Sequence, residues 1–597
     1  MTVAVDVTDT AHRIFNVRET IPVAGPGPLT LLYPQWLPGN HSPSGPIDKV
    51  AGLFVSAGGK RLEWVRDPVE VYAYHVDVPA GVSSVDVQFQ YLSPTAGAQG
   101  RITASPDMVN LQWNTVVLYP AGYYSRDIPV DASVKTPEGW TVFGAVEPTG
   151  AAAGGVTTFK RTTLNTLVDS PLLAGRYAKR LDLDPGAAVP VHLDLVADAP
   201  RFLEVTPEQL QVHRNLVQQA YKLYGSHHYA HYDFLLMLSD QIGGNGLEHH
   251  QSSEDGDGKE YFSDWDKMTG GRDLLAHEYT HSWNGKFRRG ADLWTPNFNV
   301  PMRDSLLWVY EGQTQYWGTV LAARSGLWTA QDYLDELAAT AANLDVRRGR
   351  AWRDLIDTTN EPIISQRRPE PWRSWQRPED YYTEGLLVWL DADTLIRERT
   401  GGRKSLDDFA RAFFGVDNGS FVTKTYTFDD VVRTLNGVTP YDWASWLNTR
   451  LYGHAAGAPL GGIDRGGYRL VYTDTPSKLW KQSETRRKAI DLTYSLGLSV
   501  ANKDATIADV LWDSPAFKAG LTSGQSIVAI NGRAYDGDDL KEAVTAAKAT
   551  GGVDLLVKQG DRYQTVHVAY AGGLRYPHLE KTGKGEGALD RIIAAKK

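Results

Sequence analysis

The hydrophobic periodicity of this chain changes near residue 206, which limits the fold to one with separate β-rich and helical parts. Up to about residue 180, short runs alternate apolar and polar residues between Gly and Pro turns, as in 69–76 and 85–91. A period of two is typical of strands with one buried face, and regular turns favour a sandwich. We therefore expect an N-terminal β-sandwich-like domain over residues 1–180.

The middle of the chain is mostly helical by the same criterion. Pro207 behind Thr206 is a helix-start signal, and the apolar residues that follow recur at helical spacing. The run 234–238 is short and fully apolar, which predicts a buried strand. These patterns predict an α+β chain whose second, mostly helical domain covers residues 181–462.

One helix of this domain carries a candidate metal site. His277 and His281 are four residues apart, so a helix presents both imidazoles on one face, and Glu278 directly follows the first. This is the H-E-x-x-H pattern of zinc hydrolases, in which the glutamate is the general base. Two histidines paired to carboxylates would be the structural alternative, but the preceding apolar residues fit a buried zinc helix.

A second acidic motif supplies a third candidate ligand. Glu311 lies in Trp308-Val309-Tyr310-Glu311-Gly312, 30 positions after His281, in a segment with helical spacing. A catalytic zinc needs three protein ligands and one open position, and two histidines with one glutamate form a known set. We expect Zn²⁺ on His277, His281 and Glu311.

A glycine-rich segment, 243–250, precedes the zinc helix. Gly246 allows close backbone approach to a ligand, and Glu248 can pair with a substrate ammonium. An ordinary turn with a solvated carboxylate is the alternative. The nearby run 255–258 (Asp-Gly-Asp-Gly) lacks the other ligand positions of a calcium loop, so we predict an exposed turn there.

Composition excludes several classes of function. The chain has no cysteine, which rules out disulfides, thiolate zinc sites and cysteine nucleophiles. Its net charge of −10 argues against nucleic acid as the main partner. No apolar run is long enough to span a bilayer. The N-terminus of the given chain does not resemble a signal peptide, and the compartment stays open between the periplasm, after removal of a leader, and the cytoplasm.

The C-terminal part, 463–597, follows a Gly- and Ala-rich linker at 453–462. Its run 513–532 resembles a PDZ domain, with a short helix from Ser514-Pro515 that Gly520 ends and a strand over 527–530. Residues 495–498 would be its carboxylate-binding loop. Such modules add an extended peptide to a sheet edge, so a C-terminal or internal peptide is a possible partner. A structural module with a blocked groove is the equal alternative.

Together these motifs resemble the PDZ-containing glycyl aminopeptidase family of gluzincin zinc metallopeptidases. The resemblance rests on 277–284, 308–312 and Gly246-Leu247-Glu248-His249, and on N-terminal motifs at 33–39 and 167–171. It implies a thermolysin-like catalytic domain. It also implies that Glu248, beside Gly246 and Leu247, binds the free amino group of the substrate.

The resemblance also extends to Tyr381-Tyr382-Thr383-Glu384-Gly385, which is similar to a family segment whose tyrosine hydroxyl stabilises the oxyanion. It implies that role for Tyr382, with Tyr381 as the alternative. Glu384 departs from the family pattern because lysine is usual there.

We therefore expect a zinc-dependent aminopeptidase that acts on peptides with a free N-terminus, and the resemblance implies a preference for Gly and then Ala. A zinc endopeptidase built on the same site and a non-catalytic peptide-binding scaffold are the alternatives. The intact general base, Glu278, argues against the scaffold.

Overall fold

The computed structural model describes residues 1–597, and these divide into two compact units. The first unit contains Met1–Leu306, Pro362–Gln366 and Ala410–Val431. The second contains Leu307–Glu361, Arg367–Phe409 and Val432–Lys597. Both units combine sheets with helices, so the predicted α+β class is confirmed.

Five sheets belong to the first unit. The largest has the strand order β13 (Val156–Thr158), β11 (Pro129–Lys135), β1 (Thr2–Asp9), β2 (Ile14–Pro22), β8 (Ser84–Leu92), β4 (Val50–Ala57) and β5 (Lys60–Leu62), with β14 (Thr162–Thr163) also on β11. A second has the order β10 (Tyr119–Pro120), β3 (Gly27–Leu32), β7 (Ala73–Val78) and β6 (Trp64–Arg66). The third has the order β12 (Thr141–Gly144), β15 (Leu172–Gly175) and β9 (Met108–Leu111).

The two largest N-terminal sheets pack as a sandwich. Alternate residues of β1 and β2 are buried, as the period of two predicts. Val5 and Val87 of the first sheet share one hydrophobic core with Leu31 and Val76 of the second. A two-layer β arrangement was therefore predictable from the alternation alone.

Two further sheets complete this unit. One has the order β16 (Ala178–Asp182), β17 (Val191–Ala197), β18 (Tyr232–Leu238), β20 (Ser252–Asp257) and β19 (Gly246–Glu248), and the other pairs β21 (Arg288–Gly290) with β22 (Lys424–Tyr426). The helices within this unit are α1 (Leu164–Val168), α2 (Pro207–Tyr224) and α3 (Leu274–His281). The predicted helix start at Pro207 is confirmed, with Thr206 as the side-chain cap.

The prediction of an exposed turn at 255–258 is wrong. Asp255 lies in β20 and is fully buried, because β20 pairs with β18 on one side and β19 on the other. Burial raises the pKa of Asp255 to about 7.

The second unit contains most of the helices. They are α4 (Leu307–Tyr310), α5 (Gly312–Ser325), α6 (Ala330–Asp345), α7 (Leu355–Thr358), α9 (Arg373–Gln376), α10 (Asp380–Thr400), α13 (Trp443–Leu451), α14 (Gly461–Arg465), α15 (Lys478–Arg487), α16 (Pro515–Lys518), α17 (Gly537–Thr550) and α18 (Ala588–Ile593). Helices α8 (Glu361–Ser365), α11 (Leu406–Phe413) and α12 (Phe428–Val438) include residues of both units. None of the helices combines the length and the apolar character that a membrane span needs.

The second unit also has three C-terminal sheets. They are β23 (Tyr468–Thr473) with β31 (Tyr576–Lys581), then β24 (Ala489–Leu492), β25 (Leu498–Ala501) and β26 (Ile507–Val510), and then β28 (Arg533–Ala534), β27 (Ser526–Ile530), β29 (Gly552–Gln559) and β30 (Arg562–Ala569). The helix predicted from Pro515 and the strand predicted over 527–530 correspond to α16 and β27. Residues 474–575 lie between the paired ends of β23 and β31, where Thr473 faces Tyr576.

Candidate active site

The H-E-x-x-H residues lie on helix α3, as predicted. His281 is 1% exposed and His277 is partly exposed. Their Nε2 atoms are 3.1 Å apart, so both imidazoles aim at one point. Positions i and i+4 on a helix make this convergence possible.

A backbone carbonyl fixes the orientation of the His281 ring. Its Nδ1 lies 2.9 Å from the carbonyl oxygen of Asn284, which can only accept a hydrogen bond. Nδ1 therefore carries the proton, and Nε2 presents its lone pair. This is the arrangement that metal-ligating histidines usually have.

Strand β19 runs beside the helix and leaves room for Glu278. A Cβ added to Gly246 would lie 2.5 Å from Glu278 Oε1 and 2.7 Å from Leu274 Cδ1. A larger residue at 246 would therefore displace the carboxylate of the candidate base. The backbone of Gly246 was expected to approach a ligand closely, and in the structure it approaches the Glu278 side chain.

Glu248 belongs to the same strand and faces the same way as Gly246, because alternate residues of a strand share a face. Glu248 is 3% exposed. One oxygen or nitrogen from each of Glu248, Glu278 and His281 lies within 4.8 Å of the others. The structure therefore brings the predicted amine anchor to the predicted base, while Leu247 is buried on the opposite face.

The N-terminal segment 33–39 contributes Gly39 to this site, a role that the sequence did not predict. Gly39 has a φ of +84°, and a Cβ on it would lie 2.9 Å from Glu248 Oε2 and 2.6 Å from Leu247 Cδ1. The glycine that ends this turn was the available signal.

In the second unit, Glu311 lies at the junction of α4 and α5 and is 2% exposed. Here α5 crosses α10 at two glycines. A Cβ on Gly312 would lie 2.8 Å from Gly385 Cα, and one on Gly385 would lie 2.7 Å from Gly312 Cα. Both predicted motifs thus contain a glycine because their backbones touch.

This crossing brings the tyrosine motif to Glu311. Burial raises the pKa of Tyr382 well above its ordinary value, and the charge of Glu311 raises it further. The hydroxyl therefore stays protonated at neutral pH and can donate a hydrogen bond. Tyr381, the alternative, is fully buried, whereas Tyr382 is partly exposed.

Glu384, at the position where lysine is usual in the resembling family, lies in a buried cluster of ion pairs. Its carboxylate pairs with the guanidinium groups of Arg350 and Arg377, and all three side chains are buried. The carboxylate is thus neutralised within the helical unit.

His277 and His281 each offer an imidazole nitrogen, and Glu311 offers a carboxylate oxygen. Two imidazole nitrogens and a carboxylate oxygen are a donor set that suits Zn²⁺. The residues present therefore fit the expected metal.

Two family models match the chain. The Peptidase M61 N-terminal domain matches residues 2–176, and the M61 glycyl aminopeptidase model matches residues 271–388. The predicted family resemblance is confirmed over these residues. No curated protein matches the chain.

The chain also matches solved structures. An aminopeptidase N family protein from Idiomarina loihiensis has a TM-score of 0.80 at 17% sequence identity, and the match covers 99% of each chain. An M1 zinc metallopeptidase from Deinococcus radiodurans has a TM-score of 0.45 at 14% identity, covering 76% of this chain and 93% of that one. Native yeast LTA4 hydrolase has a TM-score of 0.46 at 13% identity, covering 78% of this chain and 69% of that one.

Proposed function

We propose that this chain, which belongs to the M61 glycyl aminopeptidase family, is a zinc-dependent aminopeptidase that releases the N-terminal residue of peptides. One observation carries the proposal. Glu248 lies on a strand beside the H-E-x-x-H helix, where Glu248, Glu278 and His281 each place one oxygen or nitrogen within 4.8 Å of the others.

We assign His277, His281 and Glu311 as the zinc ligands. The Nδ1 bond of His281 to the Asn284 carbonyl supports this role, because it places the ring proton on Nδ1 and lets Nε2 offer its lone pair to a metal. Bound zinc supplies Lewis-acid polarisation of a water and of the scissile carbonyl.

Glu278 is the proposed general base. It accepts a proton from the attacking water, whose oxygen bonds to the carbonyl carbon, and it passes the proton to the leaving amine as the C–N bond breaks. Tyr382 donates a hydrogen bond to the carbonyl oxygen as negative charge develops there. This role requires a protonated hydroxyl, which a tyrosine has at neutral pH.

Glu248 is the proposed anchor for the substrate ammonium. Glu248 is 3% exposed, and a buried carboxylate binds an ammonium more strongly than a solvated carboxylate does. Because Glu248 and Glu278 are close together, the anchored residue is the one whose carbonyl reaches the base. Gly246 and Leu247 are the other two residues of β19, the proposed substrate-binding strand.

A preference for glycine and then alanine is the finer part of the proposal. It is supported by the family description of the matched model, M61 glycyl aminopeptidase. The close approach of Gly39 to the Glu248 carboxylate is consistent with a small first side chain.

We further infer three modules: an N-terminal β domain over 1–180, a thermolysin-like catalytic domain over 181–462 and a PDZ-like domain over 463–597. The separate hydrophobic core of residues 492–568 supports the last of these.

Hydrolysis of glycine, alanine and leucine anilides, with and without a chelator, tests the proposal. We expect the order glycine, alanine, leucine, and loss of activity in the chelator that zinc restores. Cleavage within longer N-blocked peptides at the same rate would favour the endopeptidase, and no cleavage of any substrate would favour the scaffold.

A further inference from the structure

A set of buried charges lies on the face of strand β19 opposite to Glu248. His249, the residue after the strand, has its Nδ1 3.3 Å from Asp169 Oδ1 and its Nε2 3.0 Å from Glu254 Oε2. Lys286 Nζ donates to the same Asp169 oxygen at 2.8 Å. His249, Glu254 and Lys286 are all less than 5% exposed.

This geometry requires a protonated imidazole. Both ring nitrogens of His249 face carboxylate oxygens, which only accept hydrogen bonds, so both nitrogens donate. Burial lowers the pKa of His249, but the hydrogen bonds and charges of Asp169 and Glu254 raise it above its ordinary value overall. The two carboxylates therefore face three cations: His249 between them, Lys286 beside Asp169, and Arg101, whose Nη1 lies 3.8 Å from Glu254 Oε1.

The same charges tie β19 to the end of the metal helix. Asp169 Oδ2 accepts a hydrogen bond from the backbone N–H of His250 at 2.9 Å. The backbone N–H of Lys286 donates to the carbonyl of His281 at 3.0 Å, and Ser282 Oγ donates to the carbonyl of His250 at 2.9 Å. The segment after Glu248 and the segment after His281 are therefore held at a fixed separation.

Strand β19 needs such a support. It has three residues and pairs only with β20, so few backbone hydrogen bonds set its position. Any shift along the strand moves Glu248 relative to Glu278, and a displacement of about 1 Å is enough to impair an enzyme site.

We propose that His249 is a positioning residue that, by bridging Asp169 and Glu254, holds Glu248 at the distance from the metal helix that selects the first peptide bond. This inference rests on the proposed aminopeptidase function. His249 does not touch the substrate; it acts through the backbone of β19.

The substitution His249→Gln tests this role, because a glutamine amide donates to one carboxylate and turns its oxygen against the other. In a Glu278→Ala background, calorimetry compares Gly-Ala with N-acetyl-Gly-Ala. We expect His249→Gln to weaken Gly-Ala binding at least tenfold, with unchanged binding of the acetylated peptide and unchanged zinc content. Equal binding of Gly-Ala with and without His249 would overturn the inference.

His213→Gln is the matched control. His213 is also a buried histidine, but its partners are neutral: the carbonyl oxygen of Gln209 at 2.6 Å and the hydroxyl of Tyr261 at 3.1 Å. We expect this variant to lower thermal stability without changing the preference for the free amino group. An equal loss of preference in both variants would reduce His249 to a general packing role.

A milder variant covers the case in which His249→Gln does not fold. Gln112 Nε2 donates to Glu254 Oε2 at 2.9 Å, and Gln112→Met removes only that bond. We expect Gly-Ala binding to weaken about threefold in this variant, and unchanged Gly-Ala binding would contradict the inference. If the protein with His249 intact shows no preference for Gly-Ala over its acetylated form, the proposed aminopeptidase function itself fails.

Discussion

Strands β19 and β25 are the two candidates for peptide recognition in this chain, and they differ in their free edges. β19 is the last strand of its sheet and pairs only with β20. β25 lies between β24 and β26. An extended peptide can add to a sheet only at an unpaired edge, and β19 has such an edge whereas β25 does not.

The strand that covers β25 comes from the chain itself. β24 is antiparallel to β25, with Leu492 facing Leu498 and Ala489 facing Ala501. Ile490 Cδ1 lies 2.4 Å from where a Cβ on Gly537, the first residue of α17, would be. A sequence that resembles a carboxylate-binding loop at 495–498 therefore does not imply an open groove.

The largest expected effect tests the candidate active site beside β19. We expect Glu278→Gln to reduce kcat by about 10³- to 10⁴-fold, because the general base is lost. Zinc content, measured by atomic absorption, stays at one per chain because the three proposed ligands are intact. Turnover at the wild-type rate would contradict the assignment of this site.

The two neighbouring tyrosines of α10 provide a second test of the candidate active site. Tyr382→Phe removes the proposed oxyanion donor, and we expect a loss of about 10²- to 10³-fold in kcat. Tyr381→Phe is the matched control, with an expected change below about threefold, since a fully buried hydroxyl cannot reach substrate. Steady-state kinetics with glycine anilide separates the two, and the reverse order would assign the role to Tyr381.

A deletion tests whether the C-terminal module is needed for chemistry. Replacing residues 474–575 with an Asn-Gly turn joins β23 to β31 as a hairpin, because Thr473 already faces Tyr576. We expect kcat/KM for dipeptides to fall by less than about tenfold, because no proposed catalytic residue is removed. The design keeps α18, whose Ile592 carbonyl accepts a hydrogen bond from Arg324 of α5. A loss above about a hundredfold in a folded variant would contradict this separation.

The smallest effect concerns peptide binding at β25. We expect free C-terminal peptides to bind the wild-type protein with a Kd weaker than about 1 mM. Ile490→Pro removes a backbone donor from β24 and weakens its pairing, so binding should become measurable by fluorescence polarisation. Ile490→Val is the control. Tight binding of the C-terminal peptides to the wild type would show that they displace β24 from β25.

Local signals were enough to predict the elements that carry the site. The Thr206-Pro207 start of α2, the apolar run of β18 and the H-E-x-x-H helix depend on residues close in sequence. The same holds for α16, which begins at Pro515 behind the cap Ser514.

The remaining features depend on contacts between distant residues. The turn predicted at Asp255 is a buried strand because β18 pairs with it from about 20 positions earlier. The crossing of Gly312 and Gly385 and the approach of Gly39 to Glu248 join separate segments of the chain. No periodicity within one segment specifies such pairs.

The most direct test of the central claim compares glycine anilide with N-acetyl-glycine anilide in the wild type and in Glu248→Ala. We predict that the wild type prefers the free amino group by at least about a hundredfold in kcat/KM, since an unpaired buried charge costs about 3–5 kcal/mol. Glu248→Ala should lose most of that preference and retain zinc. Equal cleavage of both substrates by the wild type would contradict the aminopeptidase assignment and leave an endopeptidase.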